Sequence, residues 1–271
     1  MKNCLCLLIP LFFYPYIHVR AVNNLRVADV RSIGMGGNEG VSSALFNPSL
    51  IALHANNRVC MNYFNRYGLK ELGAFSGSLY LPSSILSFGA DFSTFGYDAY
   101  RESQLRLLSA KQLNGQWTLG VGFQYAFLQT ELFEDKTGQL STDIGLTFAP
   151  VDELLIGVLI MNLPSVQLGD KSVEVKDFKT YFIQIGVNWE VINHVFIVCT
   201  VENNGEQVAT GAAGIEYQPF TDFSIRTGIK GNPLLPSLGI GYCFSPFTVD
   251  AAIVYHPVLG MSSGIGLQFA F

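Results

Sequence analysis

Charge is scarce in this chain. Asp, Glu, Lys and Arg make up 14 % of its 271 residues, where soluble domains carry about 25 %. Histidine (four copies) and tryptophan (two) are also rare. Cysteine is sparse and badly spaced for chemistry: Cys4 and Cys6 fall in the first few residues, and Cys60, Cys199 and Cys243 lie far apart. That spacing fits neither a disulfide framework nor a metal site, so the three later cysteines read as small apolar residues on strands. No His-rich or carboxylate cluster marks a metal, and no cofactor is expected. Glu134 and Asp135, and Asp152 and Glu153, read as solvated loop and turn charges. A basic patch is missing too, and the formal charge is −5. Nucleic acid is therefore excluded as a partner.

Long apolar runs are absent after residue 21. The best is Leu154 to Met161, eight residues interrupted by Gly157, whereas a membrane helix needs about 20. Yet the chain is apolar, with a mean hydropathy of +0.31, 27 Gly, 21 Phe and 12 Tyr. Only helices and closed barrels satisfy every backbone group in lipid. An apolar chain without helical spans therefore points to a membrane barrel.

Residues 1–21 read as an export signal. Lys2 supplies the positive start, residues 5–16 the apolar stretch, and Val19-Arg20-Ala21 a cleavage site after Ala21. Loss of Lys2 and Arg20 takes the net charge to about −7. The expected location is a bacterial outer membrane, with its lipid as a partner.

From residue 57 on, segments of roughly ten residues alternate apolar with small or polar side chains. This is the period of strands with two different faces. In the last segment Met261, Ser263, Ile265, Leu267, Phe269 and Phe271 share one face, opposite Gly264, Gly266, Gln268 and Ala270. Trp117, Leu119, Val121, Phe123, Tyr125 and Phe127 repeat the pattern, with Thr118, Gly120, Gly122, Gln124 and Ala126 behind them. The pattern predicts an all-β, transmembrane antiparallel barrel of about fourteen strands, near 57–64, 72–81, 84–93, 102–112, 115–127, 139–149, 153–162, 179–189, 194–202, 207–218, 221–230, 236–244, 247–256 and 260–271. Short turns at 82–83, 114–115, 150–152, 191–193, 219–220 and 245–246 alternate with connections that are mostly longer. Outer-membrane barrels sort their loops in this way.

The apolar face should meet lipid and the small, polar face the lumen. A Lys or Arg facing mid-bilayer lipid would cost roughly 2–4 kcal/mol. Asp91, Arg106, Asp143, Glu216, Arg226, Lys230 and Asp250 are accordingly assigned to the lumen, where they are expected to pair and hydrate. Tyr63, Tyr80, Phe148, Trp189 and Tyr242 suit aromatic girdles at the interfaces. Gly186, Gly211 and Gly228 would either bend the wall or make room inside it.

Residues 22–56 do not alternate. They carry Arg31-Ser32-Ile33-Gly34-Met35-Gly36-Gly37 and then Asn47-Pro48-Ser49-Leu50. A short helical turn is expected over 41–45, ended with the help of Pro48. Gly34, Gly36 and Gly37 permit tight backbone paths. They do not make a phosphate loop, since no strong strand precedes them and no Lys-Ser/Thr follows. This pattern resembles the N-terminal hatch signature of the FadL family of fatty-acid and hydrophobic-compound transporters, and of the related PorV- and PorQ-type proteins of type IX secretion. The stretches 239–244, 249–252 and His256-Pro257-Val258-Leu259-Gly260 are similar to the closing strands of the latter group. The resemblance implies a fourteen-stranded barrel (57–271) with residues 22–56 folded into its lumen as a hatch or plug, in which Gly34, Gly36, Gly37, Asn47 and Pro48 take part. Ser49 departs from the Asn-Pro-Ala pattern, and the outer loops are short.

Two functions follow as expectations. The first is a channel for hydrophobic small molecules, entered from outside and left through a gap in the wall. The alternative is a non-transporting barrel that anchors secretion-machine proteins. An enzyme is not expected. His54, His194 and His256 are the histidines left after the signal, and the best pairing available is His256 with Ser262 or Ser263 across one hairpin.

Overall fold

The computed structural model describes residues 29–131, 133–168, 181–203 and 209–271, with the backbone alone for 133–137. The export signal therefore lies outside the described residues. Fifteen strand segments follow one another round a ring: β1 (Arg58–Asn65), β2 (Gly73–Leu81), β3 (Ser87–Tyr97), β4 (Tyr100–Gln112), β5 (Trp117–Thr130), β6 (Phe133–Val151), β7 (Leu154–Met161), β8 (Ser165–Leu168), β9 (Phe182–Ile192), β10 (Val195–Asn203), β11 (Thr210–Phe220), β12 (Phe223–Lys230), β13 (Leu235–Phe244), β14 (Phe247–His256) and β15 (Gly260–Ala270). All pairings are antiparallel. β1 joins β15, and β5 joins β6, so the sheet closes on itself.

β7 and β8 share one wall position. β7 pairs with β6 over 144–151, and β8 pairs with the same strand over 138–141. Between them Asn162 takes a positive φ of 60°. This leaves a closed fourteen-stranded barrel. The expected segments correspond to its strands, and β14 has the expected bounds. Three expectations about strands and turns need correction. Residues 128–138 are not a loop: β5 runs on to Thr130 and β6 starts at Phe133. The break after Met161 and the short β8 have no counterpart in the sequence pattern. The early turns are also displaced, with 82–86 instead of 82–83 joining β2 to β3, and 152–153, 193–194 and 221–222 making the later reversals.

Strand alternation makes the two faces. On β15, Met261, Ile265 and Leu267 are exposed outward, as is Phe271 just past its end, while Ser262 and Gly266 are buried. Phe271 is 57 % exposed, stacks on Phe269 at 5.7 Å, and its N–H donates to Asn57 O at 2.9 Å. Together with Phe244 and Phe247 it belongs to an aromatic row at the short-turn end. Tyr63, Trp189 and Tyr242 face outward as girdle residues should, and Phe148 stacks on Trp117 at 4.3 Å. Tyr80 does not: it is 2 % exposed and packs inside the barrel with Leu50, Ile51 and Leu108. It shares parity with the buried Ser76 and Ser78, and that parity sets its direction.

Residues 29–56 cross the interior. A one-turn helix, α1 (Val30–Gly34), is capped by Asp29 and lies against β12 to β15. A second, α2 (Glu39–Ser42), lies against β7, β9 and β10. A 3-10 helix, Pro48–Leu53, lies against β3 to β6 before the chain enters β1. The helical turn expected at 41–45 thus sits earlier, at 39–42. Pro48 does not end it but starts the 3-10 helix, where its missing N–H costs nothing. Asn47 caps that helix by accepting the Ser49 N–H at 3.1 Å.

Candidate functional site

The wall is carved to receive this inner segment. A Cβ added at Gly34 would lie 3.0 Å from Gly239 Cα on β13, so two bare backbones meet there. Gly214 on β11 and Gly228 on β12 face Met35. A Cβ on Gly214 would come within 2.7 Å of Met35 Cβ, and one on Gly228 within 2.6 Å of Met35 O. Gly120 on β5 and Gly145 on β6 seat Asn47, Pro48 and Ser49, while Gly157 on β7 seats Gly40 and Val41. Gly36 and Gly37 have φ of 86° and 78°, which glycine adopts without strain. Of the three wall glycines singled out in the sequence, Gly186 and Gly228 touch the segment and Gly211 does not. We expect Gly228→Val to cost about 1–3 kcal/mol by overpacking. Limited proteolysis should then find the Arg31–Gly37 stretch in the folded variant and not in the parent.

Two arginine clusters hold the segment from opposite sides. Arg106 (β4) lies between Asp91 (β3, 3.5 Å) and Asp143 (β6, 3.0 Å). It donates to the carbonyls of Leu45 and of Phe46, the latter at 3.2 Å. On the other side Arg226 (β12) binds Glu216 (β11) at 2.5 Å and Asp250 (β14) at 2.6 Å. Arg31 of the segment adds a two-pronged contact to the same Glu216, at 3.1 and 3.0 Å, and the Glu216 carboxylate raises its guanidinium above the ordinary range. All six of Asp91, Arg106, Asp143, Glu216, Arg226 and Asp250 are buried. Lys230, also inward, pairs with Glu202 at 2.7 Å. Ion pairs removed from water are costly to break, because the surviving partner is stranded.

Neutral hydrogen bonds complete the grip. Asn47 donates to Gly40 O at 2.7 Å and accepts from Ser49 Oγ at 2.6 Å. The Gly36 N–H donates to Ser237 Oγ at 3.0 Å, Thr200 Oγ1 donates to Asn38 Oδ1 at 2.7 Å, and the Gly40 N–H donates to Gln184 Oε1 at 2.5 Å. The role of Arg31 is not evident in the sequence, although the acidic inward positions of β11 and β14 call for a further cation. Gln124 lies on the face assigned to the lumen, whereas Gln104, Gln139 and Gln184 are not singled out in the sequence. They share parity with Arg106, Gly122, Asp143 and Gly186, which places them inside.

Little here suits bond-making chemistry. His256 Nδ1 accepts the N–H groups of Val258 and Leu259 at 3.2 and 3.1 Å, which shapes the turn. Ser262 Oγ instead accepts from Tyr67 N–H at 3.1 Å, so the His256–Ser262 pairing is not formed. His54 lies beside the Tyr80 ring at 6.1 Å. Burial, and then the Arg58 and Arg31 cations, push its imidazole down to about 3. Cys60, Cys199 and Cys243 are free thiols. No group of three metal-ligating side chains occurs among the described residues.

No family model and no curated protein matches the sequence. Solved structures do match in shape. The CymD monoaromatic hydrocarbon channel superposes with a TM-score of 0.65 at 14 % identity, covering 93 % of this chain and 99 % of that one. The toluene transporter TodX of Pseudomonas putida gives 0.61 at 12 % identity, covering 91 % and 99 %. A FadL homologue of Pseudomonas aeruginosa gives 0.59 at 12 % identity, covering 90 % and 97 %. At such identities the likeness shows the shared barrel fold.

Proposed function

We propose that this chain is an outer-membrane channel for hydrophobic small molecules, with residues 22–56 as a plug seated in the lumen of the 57–271 barrel. The observation that carries the reading is the segment spanning the interior, held by carved glycines and two arginine clusters. A barrel built only as an anchor has no need of a shaped interior. At the edge of the plug, its Leu45 and Phe46 meet Leu159, Met161 and Phe182 of the wall in a buried apolar cluster. That cluster adjoins the break at residues 162–164, where the wall passes from β7 to β8. A molecule without charge would move along the apolar cluster and leave through the wall at this break, bypassing the ion pairs.

The solved channels of this shape are described as carrying monoaromatic hydrocarbon and toluene, which supports substrates of that size. The outward apolar face and the girdle support an outer-membrane location, in line with the export signal expected from the sequence. Nothing in the described surface favours the secretion-anchor reading. Toluene uptake by cells with a lipopolysaccharide outer leaflet tests the proposal. Producing the barrel should raise the initial rate several-fold, and a rate equal to that of cells lacking it would reject the channel.

A further inference from the structure

Above the plug, on the loop side of Arg106, the inner faces of β4, β5 and β6 carry a run of amides. Gln104 donates to Gln124 at 2.9 Å. Gln124 donates to Ser141 Oγ at 2.5 Å and to Asn162 Oδ1. The Asn162 N–H donates to Asp143 Oδ1 at 3.0 Å, which ties this cluster to the break between β7 and β8. The run ends at Gln139, one inward position beyond Ser141 on β6. Gln139 is 2 % exposed, and neither its Oε1 nor its Nε2 has a hydrogen-bond partner among the described residues. A buried amide left without partners is costly, and natural folds rarely keep one without a reason.

Its surroundings narrow what would satisfy it. Gln139 stands opposite Ala126 on β5, flanked on that inward face by Leu128 on one side and Gln124 on the other, and opposite Gln167 on β8. Charge is close by, but it is balanced within ion pairs. Arg106, one inward position from Gln104, is shared by Asp91, Asp143 and two plug carbonyls. Asp143, one inward position from Ser141, would repel an anion. An amide offers a donor group and an acceptor side by side. A hydroxyl can use both at once, a hydrocarbon neither, and a carboxylate only the donor.

We infer that Gln139 ends a polar subsite for the hydroxyl of a hydrophobic ligand, so that the barrel prefers phenol-class molecules over hydrocarbons of the same size. The inference deepens the channel reading and rests on it for its biological sense. p-Cresol and toluene differ by the one hydroxyl and make a matched pair of probes.

The test is calorimetric titration of the purified full chain in detergent with each probe, for the parent and for Gln139→Met, which keeps the length of the side chain and removes both polar atoms. The parent should bind p-cresol on the order of tenfold more tightly than toluene, the effect of one net hydrogen bond to a buried group. Gln139→Met should lose most of that preference and leave toluene within about twofold. Heat-modifiable mobility on a gel verifies that each variant is folded, and Gln139→Leu serves if the Met variant is not. Equal binding of the two probes by the parent, as for a site that holds only water, would overturn the inference, as would a preference that survives the substitution. The titration reads binding and the uptake experiment reads passage, so a barrel that fails to carry toluene can still pass or fail this test.

Discussion

Arg106→Met should unfold this barrel more readily than any other single change to the lumen, with a loss of about 3–5 kcal/mol. The guanidinium is 3 % exposed and has Asp91 and Asp143 on either side. Methionine fills a similar volume, so the cost is electrostatic. Two carboxylates would remain inside the barrel without a cation, and the carbonyls of Leu45 and Phe46 would lose their donor. Urea titration of the barrel refolded in lipid vesicles should show the midpoint falling. The triple variant Arg106→Met, Asp91→Asn, Asp143→Asn should recover most of the loss, because it removes the stranded charge as well as the pair. If the triple variant were as unstable as the single one, the loss would come from packing and not from charge. The other cluster is less sensitive to removal of Arg31, because Glu216 keeps Arg226 when Arg31 is lost.

The fold is legible in the sequence because lipid imposes a strict alternation. Where a strand lies wholly within the apolar band, as β14 does, its bounds can be read directly. The hairpin of β5 and β6 is harder. It rises beyond the band into water, so residues near 130 are polar on both faces and read as a loop. The break after Met161 is hidden for a different reason. Asn162-Leu163-Pro164 looks like the end of a strand, and no local pattern tells that the next four residues return to the same wall position. Tyr80 misleads because an aromatic near a strand end suggests a girdle, whereas its parity with Ser78 sends it inward. Inside the barrel, the charges Asp91, Arg106, Asp143, Glu216, Arg226 and Asp250 can be found from the cost of turning them outward. Which charge pairs with which cannot, because pairing across non-adjacent strands, as between Arg106 on β4 and Asp143 on β6, depends on the curvature of the closed wall. The wall glycines are visible as a composition, but their purpose requires the path of residues 29–56.

Deleting residues 22–56 tests whether that path closes the lumen. Small barrels of about eight strands fill their interior with side chains, while barrels of sixteen or more hold an aqueous channel. A fourteen-stranded lumen lined by Gly214, Gly228, Gly239, Gly120 and Gly145 is wide and bare once its occupant is gone. β1 begins at Arg58 and keeps its ladders to β2 and β15, so closure of the wall does not need the segment. The measurement is single-channel recording in planar bilayers, comparing the intact mature chain with the deletion after both have been shown to insert. The intact barrel should be closed to ions, and the deletion should give stable, discrete conductance steps. An intact barrel that already conducts, or a deletion that inserts and remains closed, would contradict closure by this path.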